Sequence, residues 1–148
     1  MNDREVNPSD FVITKRVLEV YLGSDEAVTI PYGVTSIGNY AFGNCIFLTS
    51  VVIPSGVKSI GDWAFRYCQS LRSVVIPSGV KSIGKNAFCG CSSLTSVVIP
   101  SGVENIGDWA FSDCPSLTIY CEEPSIPSGW ESDFNCDHRP VVWGYKGD

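Results

Sequence analysis

Across residues 50–53 apolar and polar side chains alternate with the period of a strand. Val51 and Ile53 share one side, and Ser50 and Val52 share the other. Pro54-Ser55-Gly56 ends that strand, because proline lacks the N–H a ladder needs and glycine reaches the positive φ of many turns. Val57, Ile60, Ala64 and Phe65 then supply the apolar positions of a returning side. Residues 61–67 are too few for an independent helix and predict a single helical or 3₁₀ turn. The whole pattern recurs with a period of 23 residues: LTSVVIPSGVKSIGDWAFRYCQS from Leu48, LRSVVIPSGVKSIGKNAFCGCSS from Leu71 and LTSVVIPSGVENIGDWAFSDCPS from Leu94. A fixed period of this length predicts a solenoid of stacked coils. One coil buries too little apolar surface to offset the ordering of its own backbone, so stacking must supply the remainder and both ends need caps.

Both caps are visible. Phe11-Val12-Ile13-Thr14 and Val17-Leu18-Glu19-Val20-Tyr21 flank Lys15-Arg16 and predict a hairpin. Ile30-Pro31-Tyr32-Gly33-Val34, Ile37-Gly38 and Ala41-Phe42 keep the register of a first coil. At the other end Leu117-Thr118-Ile119-Tyr120 begins a fifth strand and leaves the pattern. Ile126-Pro127-Ser128-Gly129-Trp130 then echoes the turn, and Val141-Val142-Trp143-Gly144-Tyr145 reads as a closing strand. The resulting single domain divides into a flexible segment (1–10), a hairpin cap (11–27), four coils (28–47, 48–70, 71–93 and 94–116) and a terminal strand with its cap (117–148).

The unit I-P-S-G-V-x-x-I-G-x-x-A-F-x-x-C resembles the BspA-like, or treponemal-type, leucine-rich repeats. The tail through Pro140-Val141-Val142-Trp143-Gly144-Tyr145 resembles the terminal coil of bacterial members, and residues 11–34 resemble their opening hairpin, so the likeness covers residues 10–145. Lys15-Arg16 stands at the hairpin tip where the family commonly carries glycine, which leaves the turn type open. The resemblance implies a right-handed leucine-rich-repeat solenoid of the α/β class, mostly β with short helical or 3₁₀ turns and with a parallel sheet along one face. It also implies surface adhesion and protein binding, usually outside the cell, and it brings no catalytic residue and no cofactor.

Composition narrows the partners. The 148 residues carry a net charge of -6, which argues against nucleic acid or an anionic membrane. No apolar run approaches the roughly 20 residues of a membrane span. Met1-Asn2-Asp3-Arg4-Glu5 is too polar for a secretory signal, so an extracellular or cell-surface location rests on the resemblance and a cytoplasmic one stays open.

In a stacked solenoid equivalent positions form columns about 4.8 Å apart. Val52, Val75 and Val98, beside Ser50, Ser73 and Ser96, form an outward stripe that reads either as a binding surface or as ordinary strand-forming residues. Tyr40, Trp63, Asn86 and Trp109 form a second column, whose aromatics either stack on sugars or anchor a protein, or lie flat over the coil edge. Thr49/Arg72/Thr95, Lys58/Lys81/Glu104, Asp62/Lys85/Asp108 and Arg66/Cys89/Ser112 vary in polarity and read as solvated.

Cys45, Cys68, Cys91 and Cys114 form one column. Parallel side chains would hold their Cβ atoms about 5 Å apart, whereas a disulfide wants about 3.8 Å, so buried free thiols are expected. Cys89, in a polar column, is expected to be exposed and able to link two molecules on oxidation. Cys121 and Cys136 share the end cap as a candidate disulfide. His138, the one histidine, has Cys136 and Cys121 as the only nearby thiols for a nucleophile pair, and no C-x-x-C supports zinc. Asp133, Asn135 and Asp137 mimic the start of a calcium loop, but His138 stands where glycine belongs. Asn7 is followed by proline, so no N-glycosylation acceptor is present.

These readings lead to a non-enzymatic module, without cofactor or metal, that presents its sheet face to a protein or host-surface ligand. The alternatives are a carbohydrate-binding module using Tyr40, Trp63 and Trp109, helped by Trp130, and a terminal structural piece of a longer surface protein. The expected chain is a monomer that does not insert into membranes.

Overall fold

Asn7 opens the described part of the chain, residues 7–147 of a computed structural model. Its side chain accepts the Ser9 N–H and caps a 3₁₀ turn, Pro8–Asp10. Residues 1–6 of the segment expected to be flexible lie outside the described residues. β1 (Phe11–Thr14) and β2 (Val17–Tyr21) pair antiparallel, with Thr14 opposite Val17. Lys15 and Arg16 both adopt left-handed φ, 52° and 68°, as a type I′ hairpin turn requires, and this settles the turn without glycine.

Ten short strands follow: β3 (Ala27–Thr29), β4 (Ser36–Ile37), β5 (Ser50–Val52), β6 (Ser59–Ile60), β7 (Ser73–Val75), β8 (Ser82–Ile83), β9 (Ser96–Ile99), β10 (Asn105–Ile106), β11 (Thr118–Cys121) and β12 (Val141–Trp143). They stack in parallel on two sides of the coil. The predicted face comprises β3–β5 and β7–β9–β11–β12, and the two ladders adjoin where the Arg72 N–H reaches the Thr49 carbonyl at 3.2 Å. The other side carries a second parallel ladder, β4–β6–β8–β10, which the hairpin joins through β2. Its two-residue strands are too short to show a period of two, so the sequence signalled one sheet where there are two.

The return segment corrects the expected helical turn. The N–H groups of Ala64, Arg66 and Cys68 bond back to Gly61, Trp63 and Phe65. Those of Trp63, Phe65 and Tyr67 bond across to Lys85, Ala87 and Cys89 in the next coil. The segment is therefore a run of tight turns whose alternate amides join the stack. Trp63 (φ 61°) and Tyr67 (φ 55°) occupy third turn positions in the left-handed region, the mark of type II turns. A helix would spend those amides internally and leave this side of the coils without hydrogen bonds between them.

Within the coil Phe42, Phe65, Phe88 and Phe111 form a parallel stack with centroids 5.0, 5.1 and 5.6 Å apart, continued at the hairpin end by Tyr21 at 5.3 Å from Phe42. Beside it runs the cysteine column, buried and free as expected. Cys68, Cys91 and Cys114 each donate the thiol proton to a phenylalanine carbonyl of the preceding coil, at 3.2 Å in every case. Trp130 closes the far end. It is only 5% exposed, donates its indole N–H to the Val103 carbonyl at 3.0 Å and meets Phe134 edge-on. Its expected part in a sugar site is thus corrected: the indole is a lid on the core.

Two cysteine expectations are also corrected. Cys89 is 6% exposed, in a column whose polar members, Arg66 and Ser112, are themselves only half-exposed, with the Arg66 guanidinium lying over the rings of Trp63 and Tyr67. A cross-link between molecules through Cys89 loses its premise. Cys121 occupies the inward side of β11, whereas Cys136 sits half-buried with its thiol toward Asp137 at 3.6 Å, and both are free.

Candidate functional site

The outer face of the long ladder carries apolar and hydroxyl side chains in parallel rows. In-register pairing aligns Ser73, Ser96 and Thr118 in one row and Val75, Val98, Tyr120 and Val142 in the next. Ala27 with Ser50 and Thr29 with Val52 extend both rows toward the hairpin. Val52 is 58% and Val75 71% exposed, while Ser96 and Val98 are half-buried. Thus all six sequence-predicted residues, Ser50, Val52, Ser73, Val75, Ser96 and Val98, come together on one face. Among the described residues, the hydroxyls of Ser50, Ser73 and Ser96 have no hydrogen bond within the protein, which leaves donors and acceptors free beside the aliphatic row.

Sequence reasoning missed the far end of this face. Tyr120 packs against Tyr145 with centroids 4.8 Å apart, and Val142 is 41% exposed. The signal was available: Thr118-Ile119-Tyr120-Cys121 laid over Ser96-Val97-Val98-Ile99 puts Tyr120 in the valine column. The pairing of Tyr145 with it depends on the chain's return through the cap.

The aromatic column has a different geometry. Tyr40 and Trp63 lie parallel, 6.0 Å between centroids and 1° between planes, and the Arg66 guanidinium sits 5.6 Å from the Trp63 centroid. Parallel rings this close are offset-stacked, so the ring faces a sugar would use are already partly covered. Asn86 is 6% exposed, and Trp109, 45% exposed, stands apart as a single ring. All four residues have left-handed φ between 57° and 62°, so this column is the corner of the turn run.

Polar side chains of the Asp62 and Asp108 column, with Asn39 in the same register, also serve the stack. Asn39 Oδ1 accepts the Asp62 N–H at 2.8 Å, Asp62 Oδ1 accepts the Lys85 N–H at 2.9 Å, and Asp108 Oδ1 accepts the Asp133 N–H at 3.2 Å. In the cap Asn135 holds Arg139 through both amide atoms, and Asp137 Oδ2 accepts the Asp113 N–H at 2.8 Å. The apparent calcium loop is therefore part of the end cap, and among the described residues no group of three His, Cys, Asp or Glu side chains suits a metal ion.

Nucleophilic chemistry is equally ill-served. Burial pushes the thiols of Cys45, Cys114 and Cys121 up to about 12, and burial with the nearby Asp137 charge raises that of Cys136. His138 is exposed, at φ 55°, and accepts or donates no side-chain hydrogen bond among the described residues. Thiols held neutral in this way are poor attacking groups.

A family model described as a BspA type leucine rich repeat region matches residues 21–128 in six copies. No curated protein matches the chain. Among solved structures, the leucine rich repeat protein of T. pallidum is 25% identical at a TM-score of 0.70, covering 96% of this chain and 83% of that one. A leucine-rich repeat protein from Bacteroides ovatus is 30% identical at a TM-score of 0.62, over 97% of this chain and 37% of its own. A leucine rich cell surface protein from Faecalibacterium prausnitzii is 26% identical at a TM-score of 0.58, over 92% of this chain and 53% of its own. The chain thus spans most of the first relative and about half or less of the other two. No helix among the described residues is long and apolar enough to cross a membrane.

Proposed function

The chain belongs to the BspA-type leucine-rich-repeat family, and we propose that it is a non-enzymatic protein-binding module working through the outer face of β3, β5, β7, β9, β11 and β12. One observation carries this reading: an outward apolar row, exposed at Val52, Val75 and Val142 and half-buried at Val98 and Tyr120, flanked by a row of unpaired hydroxyls on a stacked scaffold. Exposed apolar rows lose water favourably when a partner covers them, and adjacent free hydroxyls give that partner orientation. The Tyr120–Tyr145 pair supplies the kind of amphipathic aromatic that anchors interfaces. Display at a cell surface is part of the same proposal, supported by the relative that is described as a cell surface protein.

The covered ring faces of the aromatic column give the carbohydrate reading of Tyr40, Trp63 and Trp109 no comparable support. The test is the triple variant V52K/V75K/V98K, whose side chains point outward and leave the core untouched. Immobilised wild-type and variant chains are compared for proteins retained from a host-cell surface extract, with circular dichroism and thermal unfolding as controls for folding. Proteins retained by wild type are expected to be lost by the variant. Equal retention by a folded variant excludes this face.

A further inference from the structure

The hairpin tip and the coil turns create a second surface that the sequence separates widely. A single column runs Arg16, Thr35, Lys58, Lys81, Glu104, because each amide bonds to the carbonyl before it: Thr35 to Arg16 at 2.9 Å, Lys58 to Thr35 at 2.7 Å, Lys81 to Lys58 at 2.8 Å and Glu104 to Lys81 at 2.7 Å. Three cations therefore line one edge of a protein whose net charge is -6. Strand spacing puts Lys58 and Lys81 roughly 5 Å apart and Arg16 about 10 Å from Lys58 along the axis. Beside Arg16 opens a cleft of about 570 Å³ between the hairpin tip and the first two coils. Its lining includes Ile13, Tyr32, Thr35 and Ser55 with the glycine backbone of two turns, and it contains no carboxylate. Tyr32 is 96% exposed, so both faces of its ring are open, unlike those of Tyr40 and Trp63. Among the described residues, the side chains of Arg16 and Lys58 make no hydrogen bond to the protein.

We propose that this cleft binds an acidic oligosaccharide, a sugar bearing carboxylate or sulfate groups. The sugar ring packs on the open face of Tyr32, its anionic group meets Arg16, and the chain continues along the edge toward Lys58 and Lys81. Ser55 and Thr35 supply neutral hydrogen-bonding groups between the cations. The volume suits one or two sugar rings. An acidic peptide would use the cations and hydroxyls without needing a ring open on both faces, on which a sugar ring stacks, and a neutral sugar would leave the column of cations unmatched. This site is independent of the sheet face, so either can fail without the other.

The experiment is isothermal titration of the whole chain with four probes: a heparin tetrasaccharide, a hyaluronan tetrasaccharide, cellotetraose and hexaglutamate. At least one acidic sugar is expected to bind, more weakly as salt rises, with cellotetraose and hexaglutamate at least roughly tenfold weaker. R16N, which keeps a residue tolerant of left-handed φ at the turn, and Y32A, at a side chain that packs on nothing, should each weaken binding by roughly tenfold or more. V52K/V75K/V98K should leave it unchanged. The proposal is overturned by the absence of binding to either acidic sugar, by equal affinity for cellotetraose or hexaglutamate, or by indifference to R16N or Y32A in chains that remain folded.

Discussion

Alkaline pH should destabilise this protein through its buried thiols. Cys45, Cys114 and Cys121 ionise near 9.0 in an ordinary setting, and burial raises each to about 12. Because the folded-state values are the higher ones, the stability they contribute is complete below pH 9 and is lost as pH rises from 9 toward 12. In that window the unfolded chain has released protons the folded chain still holds, so stability falls by about 1.4 kcal/mol per pH unit for each thiol. By about pH 10.5 the loss is on the order of 2 kcal/mol per thiol, or about 6 kcal/mol for three. Cys91, raised by its contact with Cys68 and by burial, adds to it in the same direction. A domain of this size has on the order of 5–15 kcal/mol to lose, so the protein should approach unfolding there. The assay is urea unfolding under reducing conditions at a series of pH values, with wild type beside C114A. Lysine and tyrosine titrate in the same range in both proteins, so the difference in slope isolates one thiol. Above pH 9.5 the C114A slope should be shallower by about 1.4 kcal/mol per pH unit. Parallel slopes would refute the argument, because they would mean that the Cys114 thiol already meets water in the folded state.

Two further outcomes follow from the same packing. Thiol labelling at pH 8 should modify Cys136 alone in the folded protein and all seven cysteines after unfolding, and a second fast-reacting thiol would contradict the burial of the other six. Gly90→Ala should cost at least about 2 kcal/mol in urea unfolding, since Gly90 has φ 78° and a Cβ there would drive into the ring of Tyr67. Gly79→Ala, where a Cβ meets only ordinary contacts, should lie within about 0.5 kcal/mol of wild type, and equal losses at the two positions would contradict the packing described.

The two glycines illustrate what could be read from the chain and what could not. Gly79 repeats in the 23-residue unit as Gly56 and Gly102, whereas Gly90 stands alone where the neighbouring coils carry Tyr67 and Asp113, and it is Gly90 that the ring of Tyr67 confines. The same divide separates the cysteines. The column at Cys68, Cys91 and Cys114 was legible because its period and apolar surroundings agree. Cys89 was misread because its column mates, Arg66 and Ser112, are polar while the position itself is half-buried. Trp130 was misread for the opposite reason: an isolated aromatic in an irregular tail has no periodic partner to reveal that it lies against Val103 and Phe134. The candidate face was legible in its middle, where Ser50, Val52, Ser73, Val75, Ser96 and Val98 repeat, and illegible where Tyr145 returns to Tyr120.

By itself, then, the sequence determined the stacked coils, the inward row of Val51, Ile53 and Phe65 with their repeats, and the outward serine–valine face, because a repeated local pattern can bury its apolar side in only one register. The tertiary structure alone decided how the coils join. Alternate amides of the return segment must find carbonyls in the next coil, and that requirement replaces a helical turn by type II turns, puts Trp63 and Tyr67 at left-handed φ and adds a second ladder through Ser59 and Ile60. It also set Arg16 in line with Lys58 and Lys81, residues whose alignment comes from hydrogen bonds between coils and from nothing in their local sequence.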